Sequence, residues 1–373
     1  MKTLADLADV KGKKVLVRVD FNVPVEDGVI HDDFRIRSTI PTIEKLRERG
    51  ARIILVSHFE GKDGNSLKPI WRYLQTYFKT EFVEDIFSDD AKQKVEGMGN
   101  SDVVLFENIR TWKEEKENDT KFAEHLAHFA DVYVNEAFSA SHREHASIVG
   151  VPKYLDSYAG DLFVKEVENL KVAFSPKKPF LFILGGAKFS TKLPLLEKFL
   201  KKADYVVVGG ALMNNFYKEQ GFEIGDSLLD TGDFDIKGML KNNHLYVPID
   251  VTVENKEGKA EIKKADQVLP GETIVDIGSD AVSHIQEFIN EAAFVLWNGP
   301  MGNYEKGYAE GTKEIAHRLA EGAKDSVIGG GDTISVVAKL NLLKKFTYVS
   351  TAGGAMLDFL AHETLPGIEA LDR

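Results

Sequence analysis

The sequence has 373 residues, a hydrophobic fraction of 43% and a formal net charge of −12. That length suits two or three ordinary domains. The acidic balance argues against a protein that coats nucleic acid or anionic membrane, so an anionic ligand must meet a local cluster of positive charge. The chain has no cysteine, which removes disulfides, thiolate nucleophiles and cysteine metal sites. No signal-peptide core opens it, and no run approaches the roughly eighteen apolar residues of a membrane span. The expectation is a soluble cytoplasmic protein, with "NDT" at 118–120 a chance match to a glycosylation sequon.

Apolar runs of strand length recur along the chain. In the first half they are "KVLVRV" (14–19), "RIILVS" (52–57), "EFVEDI" (81–86), "DVVLF" (102–106) and "DVYVN" (131–135). In the second half they are "FLFIL" (180–184), "YVVVG" (205–209), "FVLWN" (294–298), "SVIG" (326–329) and "TYVS" (347–350). Amphipathic stretches such as "TIPTIEKLRERG" and "KLPLLEKFLKKAD" lie between them. Strands alternating with helices predict parallel sheets covered on both faces, here two of five strands each. A helical pattern over about 161–172, flanked by Pro152, Pro176 and Pro179, marks the seam. It predicts a first domain over 1–155, a connecting helix and hinge over 156–175, and a second domain over 176–357. The polar stretch 251–272 predicts a strand or hairpin insertion.

In open α/β sheets ligands bind beyond the carboxyl ends of the strands. In the first half those ends carry Asp20, Phe21 and Asn22, then His58, then Glu107, Asn108 and Arg110, then His142, Arg143 and His145. Arg35 and Arg37 are read as lying just before the helix that contains Pro41. This rim collects fixed positive charge. The second half ends its strands in "GGAK", "GGAL", "NGPMG", "GGGDT" and "TAGGA". Glycine lets backbone amides approach a ligand closely and form a nest for phosphate oxygens. A cationic rim and an amide rim together suit an anionic acceptor and a nucleoside phosphate, and so phosphoryl transfer.

Lys188 and Lys192 flank the start of a helix expected near Ser190. A cation in a first helical turn is electrostatically unfavoured unless a phosphate is also present. Asp332, after three glycines, suits Mg²⁺ shared with phosphate oxygens and water. It also suits a helix N-cap, as does Thr333. The spacing of "HREH" lacks a usual zinc pattern. Glu107 and Glu136 are read as structural partners of nearby basic groups rather than general bases.

"VRVDFNVP", "SH", "ENIR", "VNEAFSASHREHAS", "ILGGAKFSTK", "WNGPMGNYE", "GGGDT", "STAGGA" and "LPGIEAL" occur in this order from about residue 13 to the end. In this the chain resembles the phosphoglycerate kinases. The resemblance implies two Rossmann-like α/β domains joined by a helix, with the C-terminal segment 358–373 packed back on the first. It implies reversible, Mg²⁺-dependent transfer between ATP and 3-phosphoglycerate, giving ADP and 1,3-bisphosphoglycerate, by a monomer whose domains close about a hinge. By motif position, Asp20, Phe21, Asn22, Arg35, His58, Phe59, Glu60, Gly61, Arg110 and Arg143 resemble the acceptor site. Gly185, Lys188, Lys192, Gly209, Asn298, Glu305, Gly330, Gly331, Asp332 and Thr333 resemble the nucleotide site, with Asp332 toward the metal. Arg35, Lys188 and the amides of Gly330 and Gly354 resemble the groups around the transferring phosphoryl.

Several positions depart from the family pattern. "SHFEGKDG" stands where "SHLGRP" is usual, which places Glu60 near the rim and leaves Lys62 as a point charge in place of an arginine fork. Ser139 and Ala352 replace glycines, Glu136 replaces aspartate, and Asn303 and Tyr304 replace an apolar pair. These departures bear on acceptor affinity rather than on reaction class. Rival readings lack their motifs. No G-x-G-x-x-G follows the first strand, as a dinucleotide-dependent oxidoreductase requires, and "GGAKFSTK" is not a P-loop. A non-catalytic protein of the same fold is expected to have lost Lys188 or Asp332, and both are present.

Overall fold

The computed structural model describes residues 1–61, 65–322 and 325–372. The chain divides into two compact units, Met1–Glu168 with His362–Arg373, and Asn169–Ala361. In the first unit a six-stranded parallel sheet contains β1 (Lys14–Arg18), β4 (Arg52–Val56), β5 (Thr80–Val83), β6 (Val103–Phe106), β7 (Val132–Asn135) and β8 (Asp156–Ala159). Their order is β5-β6-β4-β1-β7-β8. A short hairpin, β2 (Val25–Glu26) with β3 (Val29–Ile30), follows β1. Asp27 and Gly28, its two turn residues, both take positive φ, the geometry a two-residue hairpin requires.

The second unit holds β9 (Phe180–Leu184), β10 (Tyr205–Val208), β11 (Leu245–Tyr246), β15 (Phe294–Asn298), β16 (Asp325–Gly329) and β17 (Tyr348–Val349). They form a second six-stranded parallel sheet, ordered β11-β10-β9-β15-β16-β17. A separate antiparallel sheet is built from β12 (Asp250–Glu254), β13 (Ala260–Lys264) and β14 (Thr273–Ile277). Burial explains the sequence pattern. β9 and β15 are buried at every position, so they read as continuous apolar runs, as central parallel strands do. Each aliphatic or phenylalanine side chain among them contributes about 1.5–3 kcal/mol by leaving water.

Each large sheet has six strands, one more than the sequence pattern gave. β8 lies within the segment 156–175 expected to form only the connecting helix and hinge. It pairs with β7 from Val132↔Asp156 to Asn135↔Ala159. β11 has only two residues, paired with Val206 and Val207. The polar insertion is a hairpin of β12 and β13, and β14 completes its sheet. The arginines expected ahead of a helix lie inside it, because that helix spans Phe34–Glu48. Two residues apart on a helix, Arg35 and Arg37 face different ways. Arg35 turns to Asp20, and Arg37 pairs with Asp33 at 2.7 Å.

The helix Asp161–Lys171 starts directly after β8 and is anchored by Glu136, which follows β7. Glu136 accepts from the Leu162 amide at 3.0 Å and from the Phe163 amide at 3.3 Å. A side chain at Gly160 would collide with this carboxylate: its Cβ would stand 1.8 Å from Oε2. In the C-terminal stretch, Gly367 donates to the Ser141 carbonyl at 2.9 Å, within the same unit.

Burial pushes the Glu136 carboxyl up from 4.5 to about 8, against hydrogen bonds from Thr42, Leu162 and Phe163. The folded protein thus holds a proton that the unfolded chain releases near its ordinary value. This contribution to stability is complete below about pH 4.5 and is lost as the pH rises toward 8. Thermal unfolding at stepped pH is expected to show that fall, and Glu136→Gln, which stays neutral, is expected to flatten it. An equal slope in the variant would assign the pH dependence to other groups.

Candidate functional site

In the first unit the strand order reverses between β1 and β7, where a parallel sheet opens a crevice at its carboxyl edge. Arg18, the last residue of β1, is fully buried. Its Nε donates to Ser147 Oγ at 2.8 Å, and Ser147 Oγ donates to Glu115 Oε1 at 2.6 Å. Its Nη2 lies 3.2 Å from His58 Nδ1. A guanidinium can only donate, so His58 Nδ1 accepts and the imidazole carries its proton on Nε2. Burial keeps His58 well below its ordinary range, and Arg18, Arg110 and Arg143 press in the same direction against Asp20. His58 is therefore a neutral hydrogen-bonding group at neutral pH.

Asp20 is buried beside it, 3.3 Å from Arg35 Nη1. Burial would raise this carboxyl. Arg35, the Ser139 hydroxyl and the Asn22 amide overcome that and hold it well below the usual carboxylate range. Ser139, in place of the expected glycine, donates its hydroxyl to Asp20 Oδ2. Arg35 also donates to the Asn22 carbonyl at 3.0 Å. Arg143 is exposed and donates from Nε to His142 at 3.2 Å. Arg110 is nearly buried, with 3% of its side chain exposed, and its Nη1 meets Glu60 Oε1 at 2.5 Å. Its Nε and Nη2 are buried without hydrogen-bond partners.

Phe21 and Phe59 belong to the hydrophobic core, so a ligand could meet only their backbone. Both amides are already used, by Ser57 Oγ at 2.9 Å and Asn108 Oδ1 at 3.0 Å. Gly61 lies in the same loop, partly buried, and Lys62 falls outside the described residues. Glu107 holds that loop, accepting from Ser66 Oγ at 2.6 Å and the Leu67 amide at 2.7 Å. Arg18, Ser147 and Glu115 were missed from sequence. A single arginine inside an apolar strand was the available signal for Arg18; nothing local marks the other two.

In the second unit the order reverses between β9 and β15, the switch point of a doubly wound sheet. A cavity of about 270 Å³ opens there, lined by Gly186, Lys192, Asn298, Gly330, Asp332, Gly354 and neighbouring backbone. The strand ends interlock to form it. Gly185 donates to the Asn298 carbonyl at 2.8 Å, and Gly186 to the Pro300 carbonyl at 3.0 Å. Lys192 Nζ donates to Asn298 Oδ1 at 3.3 Å. Burial lowers the Lys192 ammonium to about 8, opposed by Asp332.

The helix after Gly330 spans Gly331–Lys339, and Gly330 itself is the N-cap, at φ +96°. No side chain caps it, so its first-turn amides are available to an outside acceptor. Asp332 lies in that first turn and caps nothing. It is exposed, and burial of part of its surroundings together with Glu305 raises its carboxyl, against Lys192. Thr333 is buried, and its hydroxyl has no hydrogen-bond partner. Glu305 lines a neighbouring 440 Å³ cavity with Tyr304, Val336, Lys339 and Leu340.

Two expectations about this rim change. The helix carrying Lys192 spans Phe189–Phe199 with Lys188 as N-cap, and Asp230 accepts from both the amide and hydroxyl of Ser190 at 2.8 Å. Asp230 thus offsets the helix dipole locally, without a phosphate. Lys188 itself is exposed at the helix start. Gly185 and Gly209 are glycines for packing: a Cβ at Gly185 would lie 2.1 Å from the Pro300 carbonyl, and one at Gly209 would lie 2.3 Å from Met301 Cε. Gly331 and Gly354 face open space.

The chain is thus an α/β protein of two units, with arginines at the edge of one parallel sheet and glycine loops at the edge of the other. The chain belongs to the phosphoglycerate kinase family, whose model matches residues 4–363. It is 41% identical over 385 residues to the phosphoglycerate kinase of Coprothermobacter proteolyticus, covering 98% of this chain and 97% of the other. It is 40% identical over 395 residues to that of Nostoc punctiforme, covering 100% and 99%. Among solved structures it is similar to phosphoglycerate kinase from Pyrococcus horikoshii, with TM-score 0.88, 30% identity and coverage of 100% and 98%. The enzyme from Coxiella burnetii gives TM-score 0.83, 35% identity and coverage of 99% and 98%. No described helix is long and apolar enough to cross a membrane.

The two kinds of glycine separate by experiment. Gly185→Ala is expected to cost about 1–3 kcal/mol by overpacking, read by calorimetry. Gly331→Ala is expected to leave the unfolding midpoint nearly unmoved, since its Cβ meets nothing within 4 Å.

Proposed function

We propose that the chain transfers a phosphoryl group reversibly between ATP and the carboxylate of 3-phosphoglycerate, with Mg²⁺ accompanying the nucleotide. The observation that carries this reading is the difference between the two sheet edges. One presents Arg35, held by buried Asp20, together with Arg110 and Arg143; the other presents glycine backbone and Lys192. A carboxylate acceptor is already ionised at neutral pH, so the chemistry needs no general base. That agrees with a His58 kept neutral and with Glu107 and Glu136 both engaged by backbone amides. The barrier is mainly repulsion between anions and poor alignment, which positioned cations and amides lower.

On this reading Arg35, Arg110, Arg143, His58 and Asn22 hold the acceptor, and Asp20 fixes Arg35. Lys192, Asn298 and the amides near Gly330 and Gly331 hold the phosphates. Asp332, Val336 and Leu340 are spaced four apart, on one face of their helix. This supports a nucleotide with its phosphate end toward Asp332 and its ring toward the cavity of Tyr304, Val336 and Leu340. Among the described residues no group of three or more His, Asp and Glu could hold a metal. A lone carboxylate fits Mg²⁺ that takes its other ligands from phosphate and water. When bound, the ion would supply neutralisation of phosphate charge. Because acceptor and nucleotide are assigned to different units, the proposal includes a closing motion that aligns them.

The direct test is ADP formation from ATP and 3-phosphoglycerate with Mg²⁺ in a coupled assay; no turnover would sink the proposal. Lys192 makes a sharper test. A bound phosphate favours the charged ammonium, so nucleotide binding is expected to take up a proton near pH 8 and to weaken as pH rises above that. Calorimetry in buffers of different ionisation enthalpy reads the uptake, and Lys192→Arg should abolish it. Lys188→Ala is expected to lower turnover far more than ADP affinity, because an exposed N-cap lysine is assigned to the transferring group. Equal losses in both would refute that assignment.

A further inference from the structure

We propose that Glu60 is an internal stand-in for the acceptor's anionic group, and that 3-phosphoglycerate must displace its carboxylate from Arg110 in order to bind. The inference rests on the acceptor-site reading above. Arg110 and Glu60 are unequal partners: 3% of the Arg110 side chain is exposed, against 55% for Glu60. The guanidinium is part of the wall, and the carboxylate reaches it from solvent. Only Nη1 is engaged, at 2.5 Å. Nε and Nη2 are buried and unpartnered, so the planar fork has two donors unsatisfied. A buried donor without an acceptor is costly, and a phosphate or carboxylate offering two oxygens satisfies a guanidinium better than one oxygen does.

The loop holds the side chain within reach without locking it. The Glu60 amide donates to Asn22 Oδ1 at 3.0 Å, and Asn22 presents its carbonyl to Arg35. Asn108 clamps the neighbouring Phe59 at both its amide and its carbonyl, at 3.0 and 2.7 Å. The backbone at 59–60 is fixed to the same residues that build the rim, so displacement needs only rotation of the Glu60 side chain. The carboxylate offsets the charge of Arg110 while no acceptor is bound. It also imposes an affinity penalty that an uncharged side chain would not. Glu60 is thus a specificity-determining residue: it sets a threshold that a dianionic acceptor passes more readily than a singly charged one.

The test is titration of 3-phosphoglycerate, and separately of inorganic phosphate, into the full chain without nucleotide, for wild type, Glu60→Gln and Glu60→Ala. Both variants are expected to bind both anions about three- to tenfold more tightly, with the KM for 3-phosphoglycerate falling in parallel. Glu60→Asp, one methylene shorter, is expected to fall between. A purely structural pair predicts the reverse, since freeing Arg110 to wander weakens binding. Unchanged or weaker affinity in Gln and Ala variants with wild-type unfolding midpoints overturns the proposal alone. No binding of 3-phosphoglycerate by any of the proteins overturns the acceptor-site reading, and this inference with it.

Discussion

All six strands of each large sheet run parallel, so every segment that follows a strand emerges at the same edge. That constraint organises the rest of the molecule. Segments distant in sequence, such as those after β1, β4, β6 and β7, are delivered to one rim without any direct connection among them. At the point where strand order reverses, neighbouring segments turn apart and leave a gap. The chain uses this geometry twice and furnishes the two gaps differently.

The first gap depends on charges that would be intolerable separately. Arg18 is fully buried and survives because Ser147, the Val19 carbonyl and His58 take its donors. Asp20 remains ionised in a buried setting because Arg35 and several hydrogen bonds outweigh desolvation. Removing one member of such a network leaves another uncompensated. Arg35, held by Asp20 and the Asn22 carbonyl, is therefore aimed before any ligand arrives, which on the proposed reading limits the reorganisation that a charged transition state would demand. Arg110 differs, held at one nitrogen by Glu60.

The second gap is furnished with backbone. Glycines let strand ends pass within a few ångströms of one another, as Gly185 does beneath Pro300 and Gly209 beside Met301. That closeness leaves the uncapped start of the Gly331–Lys339 helix facing the cavity together with Lys192. Glycines such as Gly185 and Gly209 serve packing, while Gly186, Gly299, Gly330, Gly331, Gly353 and Gly354 line the cavity where a ligand could touch them.

Much was legible in the residues. Alternating apolar runs and helical patterns gave two parallel sheets, because burial on both faces forces continuous apolar strands. The ordered motifs gave the family, and loop composition separated a cationic edge from an amide edge. The polar strand β8 and the two-residue β11 were not legible, since pairing with β7 and β10 decides them. Neither was the start of the helix that holds Arg35, where the N-cap residue Asp33 makes no side-chain capping bond. Sequence determined which chemical groups each edge could offer, because strand and turn chemistry are local. Tertiary structure alone decided their state: His58 neutral, Lys192 weakly basic, Asp230 already on its helix, and Glu60 seated on Arg110. Those outcomes follow from burial and through-space charge, which act between residues that the chain itself does not place side by side.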